Sequence, residues 1–417
     1  MASRTLDRLS FSPLIEKLDQ QSVNDMVTNA SPLLSGAVIQ LTTTYRLIVE
    51  YNGSSYCGFQ SQRDTGGRTK AAKCTRSRGP RAGKGREGVC TVQECIEDAL
   101  VHLTGRDKEE LRVRGAGRTD KGVHATGQVV AFDLFNRADC AQNEIDRLSF
   151  PRTSCGVSSD KEGNPPSKKS RKENARSRKY NNDLSVFQDG PDMTWKVQRA
   201  INSRLPPDIC VGSVSLCQPK GENAPFEPRQ NVKLKQYTYQ MRFRKKNKLR
   251  LGAEAMPICN SGPHTLRRAM DPPHLWICPW ALDESLLSPL CSTLIGRHDF
   301  TCFVHKHDRK AKNNIIELKT MHFDCLSNKH TSFDSSESSG ERGASVCDVK
   351  FTLEAPGFRR SMARNLVGFV VDVCRGKCSM EDVNLVLNGN EEHASLVNCV
   401  PACGLCLSKV VYEKEVY

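Results

Sequence analysis

Residues 91–105 carry the most complete helix signature in the chain, and such a helix dictates what must surround it. Val92, Cys95, Ile96, Ala99, Leu100 and Leu103 fall on one face at helical spacing. Thr91 with Glu94 forms a capping box, and Gly105 is the stop. A helix that is apolar on one face must cover a half-buried surface, and the neighbouring segments offer one. In Tyr45–Tyr51, Leu47, Val49 and Tyr51 alternate with Arg46, Ile48 and Glu50, and strand patterns return at Leu111–Val113 and Val123–Phe135.

Later segments repeat the theme. Trp195–Leu205 has helical spacing, with Val197, Ala200, Ile201 and Leu205 inward, and ends at Pro206-Pro207. Lys235–Arg244 alternates. Trp276–Ile295 is expected to be mostly helical, with a kink or boundary at Pro289. Val349–Glu354 is expected as a strand, Phe358–Cys374 as a helix, Ser379–Leu387 as a short helix stopped by Gly389, and Leu405–Tyr412 as a closing strand. Helices separate strands without a Gly-rich nucleotide loop, which predicts an α+β fold, its sheet mainly antiparallel and its helices on one side.

Between these elements lie stretches too poor in apolar residues to offset their ordering entropy. They are the Gly/Arg/Lys-rich insert 63–88, the basic insert 137–191 and the Ser/Gly-rich insert 327–345; the first 44 residues lack clear periodicity. The predicted division is therefore an N-terminal extension (1–44), an N-terminal half (45–192) and a C-terminal half (193–417).

The net charge of +14 over 417 residues points to an anionic partner, nucleic acid first. Its location qualifies that: residues 63–88 carry +7 and residues 168–179 carry +6, which leaves the remainder nearly neutral. The basic inserts are expected to add nonspecific RNA contacts, not the active site. No apolar run can span a bilayer. The 19 cysteines are odd in number and scattered, which fits reduced intracellular thiols; cytoplasm, nucleus and mitochondrion all stay open.

One segment carries chemistry. In Gly115-Ala-Gly-Arg-Thr-Asp-Lys-Gly-Val-His-Ala125, Asp120 has two readings. It is either a turn residue capping nearby backbone N–H groups, as most loop aspartates are, or a carboxylate kept ionised for nucleophilic work by a guanidinium such as Arg118, with His124 nearby.

The string Gly117–Ala125 resembles the signature of the tRNA pseudouridine synthase A (TruA) family, and other blocks follow in family order. Tyr51-Asn-Gly-Ser-Ser-Tyr-Cys-Gly-Phe-Gln60 is similar to YDGxxFxGWQ, Thr91-Val-Gln93 to its SVQ or TVQ helix start, and Leu205-Pro-Pro-Asp208 to LPxDI. Gly296-Arg-His-Asp-Phe300 with Phe303 is similar to GxHDFxxF, Gly357–Gly368 to GFLxxMVRNIVG, and Pro401-Ala-Cys-Gly-Leu405 to PAxGL. Departures are Asn52 for Asp, Phe59 for Trp, Pro228 for Ala, Arg359 for Leu, and Ala363 for Val or Ile.

The resemblance implies isomerisation of uridine to pseudouridine in the tRNA anticodon stem-loop, with neither a redox cofactor nor a metal. It implies two similar halves sharing one continuous sheet, a cleft between them, and a homodimer. Asp120 takes the nucleophile role, by attack at C1′, attack at C6, or through a glycal. Arg118 matches the residue that occupies the space left by the flipped base, and Tyr237 the one that packs on the target uracil. Tyr239, on the same strand face, is the competing alignment, and ordinary cross-strand packing the competing role. Arg364 matches a basic residue that ion-pairs with the catalytic Asp.

Two further readings of the chain stay open, a catalytically silent RNA-binding protein and a synthase for mitochondrial or small nuclear RNA. Cys374, Cys378, Cys399, Cys403 and Cys406 have spacings that suit zinc but suit buried packing as well. The run Arg242–Arg250 is either a phosphate-contacting patch or a solvated loop.

Overall fold

The capping box forms: Thr91 Oγ1 accepts the Glu94 N–H at 3.3 Å, and Glu94 accepts the Thr91 N–H at 2.9 Å. A computed structural model describes residues 42–61, 90–135, 187, 194–217, 226–246, 266–310, 313–326 and 346–413. Residues 1–41 and the inserts 63–88, 137–191 and 327–345 lie outside the described residues, Phe187 excepted. Phe187 meets Tyr45 and Phe132 edge-on, at 5.4 and 6.4 Å between ring centroids.

The first elements are β1 (Thr42–Tyr51), α1 (Val92–Thr104), α2 (Lys108–Leu111), β2 (Arg114–Gly115), β3 (His124–Phe135), α3 (Thr194–Asn202), β4 (Ile209–Cys217) and β5 (Val232–Lys245). They are followed by β6 (Trp276–Leu282), α4 (Leu287–Leu294), β7 (Gly296–Asp299), β8 (Ile315–Leu318), β9 (Thr320–Cys325), β10 (Val346–Ala355), α5 (Met362–Cys374), α6 (Glu381–Leu387) and β11 (Leu405–Tyr412). All six predicted inward residues of α1 are buried, as are Tyr45, Leu47, Val49 and Tyr51 of β1. Each large apolar side chain among them contributes about 1.5–3 kcal/mol.

The fold is α+β around one large mixed sheet of nine strands among the described residues. Its path runs β4-β1-β3-β11-β5-β10-β9, with β2 paired to β3 and β6 to β5. The pairings are antiparallel except β3–β11 and β5–β6. The last strand thus lies between strands formed much earlier, with Cys406 opposite His124 on one side and Leu407 opposite Tyr237 on the other.

Three expectations need correction. Residues 276–282 form strand β6, not helix, because they sit along β5 with Met241 opposite Trp276. Pro289 then falls in the first turn of α4, where its missing N–H would have no helical partner anyway. Leu111 ends the short helix α2 instead of starting a strand, because Arg112 adopts a left-handed conformation there. The helix expected from Phe358 begins only at Met362, because Ser361 is also left-handed, at φ 64°.

Candidate active site

Asp120 stands in the loop joining β2 to β3, and motif blocks far apart in sequence converge on that loop. From the first block, Phe59 N–H donates to the Thr119 carbonyl at 3.2 Å, and the Tyr51 and Thr119 hydroxyls are 2.8 Å apart. A Cβ on Gly53 would run into the Val123 carbonyl, so only glycine lets the two turns touch. Phe59, where the family usually has Trp, is fully buried, and its ring fills the space a Cβ on Gly115 would take. Tyr56 donates to Asp208, which ties the LPPD turn to the same assembly.

The loop is also held by its own carbonyls. Gln128 Nε2 donates to Gly117 O at 2.8 Å, Arg229 Nε to Gly115 O at 3.2 Å, and Lys235 Nζ to Ala116 O at 2.7 Å. None of these three was singled out from sequence; an inward Lys on an otherwise apolar strand face was the available signal. Burial, reinforced by Arg229, lowers the Lys235 ammonium to about 8. Its unfolded value is higher, about 10.4, so the unfolded chain binds more protons between the two. Stability therefore rises as pH climbs from about 8 towards 10. We expect a dimethyl-lysine NMR titration midpoint near 8 for this residue, and an ordinary midpoint above 10 contradicts it.

The Asp120 carboxylate is one-third exposed and pairs with the Arg364 guanidinium at 3.6 Å. The Ser361 hydroxyl lies 3.5 Å from the same oxygen. Among the described residues the carboxylate accepts no backbone N–H, so the turn-capping reading fails. The neighbouring guanidinium is that of Arg364, which is itself oriented by a 2.8 Å hydrogen bond from Nε to Val400 O. Arg118 is exposed, and among the described residues no ion pair involves it. His124 is buried and accepts the Gly53 N–H at Nδ1. Burial and the facing His274 lower its pKa, and its Nδ1 lone pair serves the turn.

Tyr237 and Tyr239 separate clearly. Tyr239 donates to Pro401 O at 2.9 Å, is fully buried, and packs where a Cβ on Gly404 would stand. Tyr237 lies edge-on to Phe358 at 5.0 Å, and burial together with the Asp120 charge raises its phenol pKa. Asp120 and Arg364 are therefore in contact, and Tyr237 lies where the Asp120 charge reaches it; both tyrosines are buried, and Tyr239 is the one tied by hydrogen bond to the Pro401 turn. Other motif residues are scaffold: Asn365 donates to Phe303 O at 2.7 Å, and Asp299 caps Thr301. Arg359 donates to Asn313 O at 2.6 Å.

Two expectations outside the site fall partly on described residues. Arg242 is buried and bound to Asp348 and Asp271, so it offers nothing to a phosphate, and residues 247–250 lie outside the described residues. The five C-terminal cysteines form no three-ligand cluster among the described residues; the one such cluster there is Glu284, Cys325 and Cys347. No helix among the described residues is long and apolar enough to cross a membrane.

A family profile described as tRNA pseudouridine synthase matches residues 290–413. The chain is 25% identical over 367 residues to tRNA pseudouridine synthase A of Thermodesulfovibrio yellowstonii, covering 88% of this chain and 98% of that one. It is 26% identical over 370 residues to the tRNA pseudouridine synthase A of a Geobacter species, covering 88% and 98%. The tRNA pseudouridine synthase A 1 of Protochlamydia amoebophila is 24% identical over 377 residues, covering 89% and 97%.

Proposed function

We propose that this chain, which belongs to the tRNA pseudouridine synthase A family, isomerises uridine to pseudouridine in tRNA with Asp120 as its catalytic carboxylate. The observation that carries the assignment of Asp120 is its partly exposed carboxylate, paired with Arg364 on a loop hooked by three side chains. A capping aspartate would spend its oxygens on the backbone; this one keeps them for a ligand.

The reaction breaks N1–C1′, turns the uracil, forms C5–C1′, and releases the C5 proton while N1 gains one, so the product is an isomer with no redox change. The target must leave the stack to reach a pocket. Arg118, long and exposed, suits the space the base vacates. Tyr237, braced by Phe358, supplies an aromatic wall beside Asp120. Arg364 holds the carboxylate in position and balances its charge. The same reading extends to two similar halves with helices on one side and the cleft between them, to the anticodon stem-loop as target, and to a homodimer. The seam at β11, between β3 and β5, supports the first of these.

Carbodiimide mapping of an unmodified tRNA transcript treated with the purified chain tests the reading. New stops at an anticodon stem-loop uridine, with tritium released from C5-labelled substrate, are expected. A chain that binds tRNA and yields no stop anywhere is a silent binder; stops confined to another RNA reassign the substrate. Arg364→Gln is expected to lower turnover roughly 10²-fold, the scale of removing one preorganised charge, with KM little changed. Unaltered turnover would remove Arg364 from the site.

A further inference from the structure

At the far end of the sheet, three side chains from three elements meet. Glu284 lies in the turn after β6, Cys325 is the last residue of β9, and Cys347 is the second residue of β10. The two Sγ atoms are 4.0 Å apart, and Glu284 Oε1 is 3.5 Å from Cys325 Sγ and 4.0 Å from Cys347 Sγ. A tetrahedral ion with metal–sulfur bonds of about 2.3 Å and a metal–oxygen bond of about 2.0 Å needs a sulfur–sulfur edge of about 3.8 Å and sulfur–oxygen edges of about 3.5 Å. The observed triangle matches one face of that tetrahedron within about 0.5 Å on every edge. Without an ion, two weak S–H donors would converge on one carboxylate oxygen, which they satisfy poorly.

We propose that Glu284, Cys325 and Cys347 bind a thiophilic divalent cation, zinc foremost, with the fourth position open to water. Thiolate pairs select zinc over magnesium or calcium. Binding releases both thiol protons and uses a carboxylate lone pair, with no change of oxidation state. Two thiolates and a carboxylate around a divalent ion leave one negative charge. The Lys245 ammonium, 2.5 Å from Glu284 Oε2, offsets it and fixes the carboxylate's orientation, the outer-shell role that metal ligands need. Cys325 is exposed, which gives the ion a way in.

The site is distinct from the Asp120 site. Cys347 lies opposite Phe243 and Leu353 opposite Tyr237, so six residues of strand, about 20 Å, separate it from Tyr237. A bound ion would cross-link the turn after β6 to two neighbouring strands, and its effect would be on stability, not on uridine chemistry.

The test uses the full-length chain under reducing conditions with zinc chloride, then cobalt chloride as a spectroscopic substitute. One ion per chain is expected, with a thiolate-to-cobalt charge-transfer band. Outer-shell substitutions typically weaken metal binding 10- to 100-fold, so Cys325→Ser and Cys347→Ser should each weaken it by at least about 100-fold and Lys245→Gln by about 10-fold. Cys210→Ser, an exposed cysteine elsewhere, should change nothing. Should Cys347→Ser fold poorly, the exposed Cys325→Ser decides the matter. Absence of the cobalt band, metal content that survives the Cys325→Ser change, or a Cys325–Cys347 disulfide in place of metal uptake overturns the proposal.

Discussion

Asp120→Asn is expected to reduce pseudouridine formation to background, a loss of at least about 10⁴-fold, while tRNA affinity stays within a few-fold of the parent. The amide has the carboxylate's shape but neither its charge nor its nucleophilicity. Little else should change. The side chain is one-third exposed and its ion pair with Arg364 spans 3.6 Å, a geometry worth at most about 1 kcal/mol. Loss of activity therefore cannot be blamed on unfolding, and a thermal midpoint close to the parent's is the internal control. Carbodiimide primer extension and a filter-binding titration on the same preparation read both quantities. Turnover within tenfold of the parent would refute Asp120 as the catalytic carboxylate. Binding lost in parallel with turnover would recast it as a substrate-recognition residue.

The second large effect concerns the fold that presents Asp120. Asp133 on β3 is fully buried and takes a two-pronged contact from Arg114 on β2, both at 2.9 Å. It also accepts from Thr44 Oγ1 at 2.8 Å, while Arg114 donates onward to Phe226 O at 2.7 Å. This cluster clamps β1, β2 and β3 at the base of the Asp120 loop. Removing Asp133 leaves the largely buried Arg114 with only the looser Glu227 contact, at 3.4 Å, to balance its charge. Asp133→Ala should therefore cost about 3–5 kcal/mol, lowering the thermal midpoint by roughly 10 °C. Calorimetry or a circular dichroism melt reads this directly. Asp133→Asn, which keeps one acceptor for the guanidinium, should fall between. An Asp133→Ala melt indistinguishable from the parent's would mean that Arg114 finds other partners at no cost.

Much of the local structure was legible from residue order. Helix α1 formed with its box, its face and its stop because all three are contacts within a turn or two. Strands β1 and β5 followed their alternation, β3 and β11 formed where strands were expected, and the Arg-Thr-Asp segment marked the loop that carries Asp120. Errors arose where the deciding contact was distant. Trp276–Leu282 is apolar enough for either structure, and its pairing with β5 made it a strand. Phe358-Arg-Arg360 contains no residue type that bars a helix, yet Ser361 turns left-handed beside Asp120 and the helix starts only after it.

The sequence alone determined the kind of chain this is: its α+β alternation, its nearly neutral body, and the order of motifs that resembles the tRNA pseudouridine synthase A family. Tertiary structure alone decided which guanidinium pairs with the Asp120 carboxylate and that Glu284, Cys325 and Cys347 share one point. Periodicity records only which face of an element is apolar. Which faces meet is fixed by sheet order and register, and these depend on pairings between residues far apart in the chain. The insertion of the last strand between β3 and β5 is the clearest case.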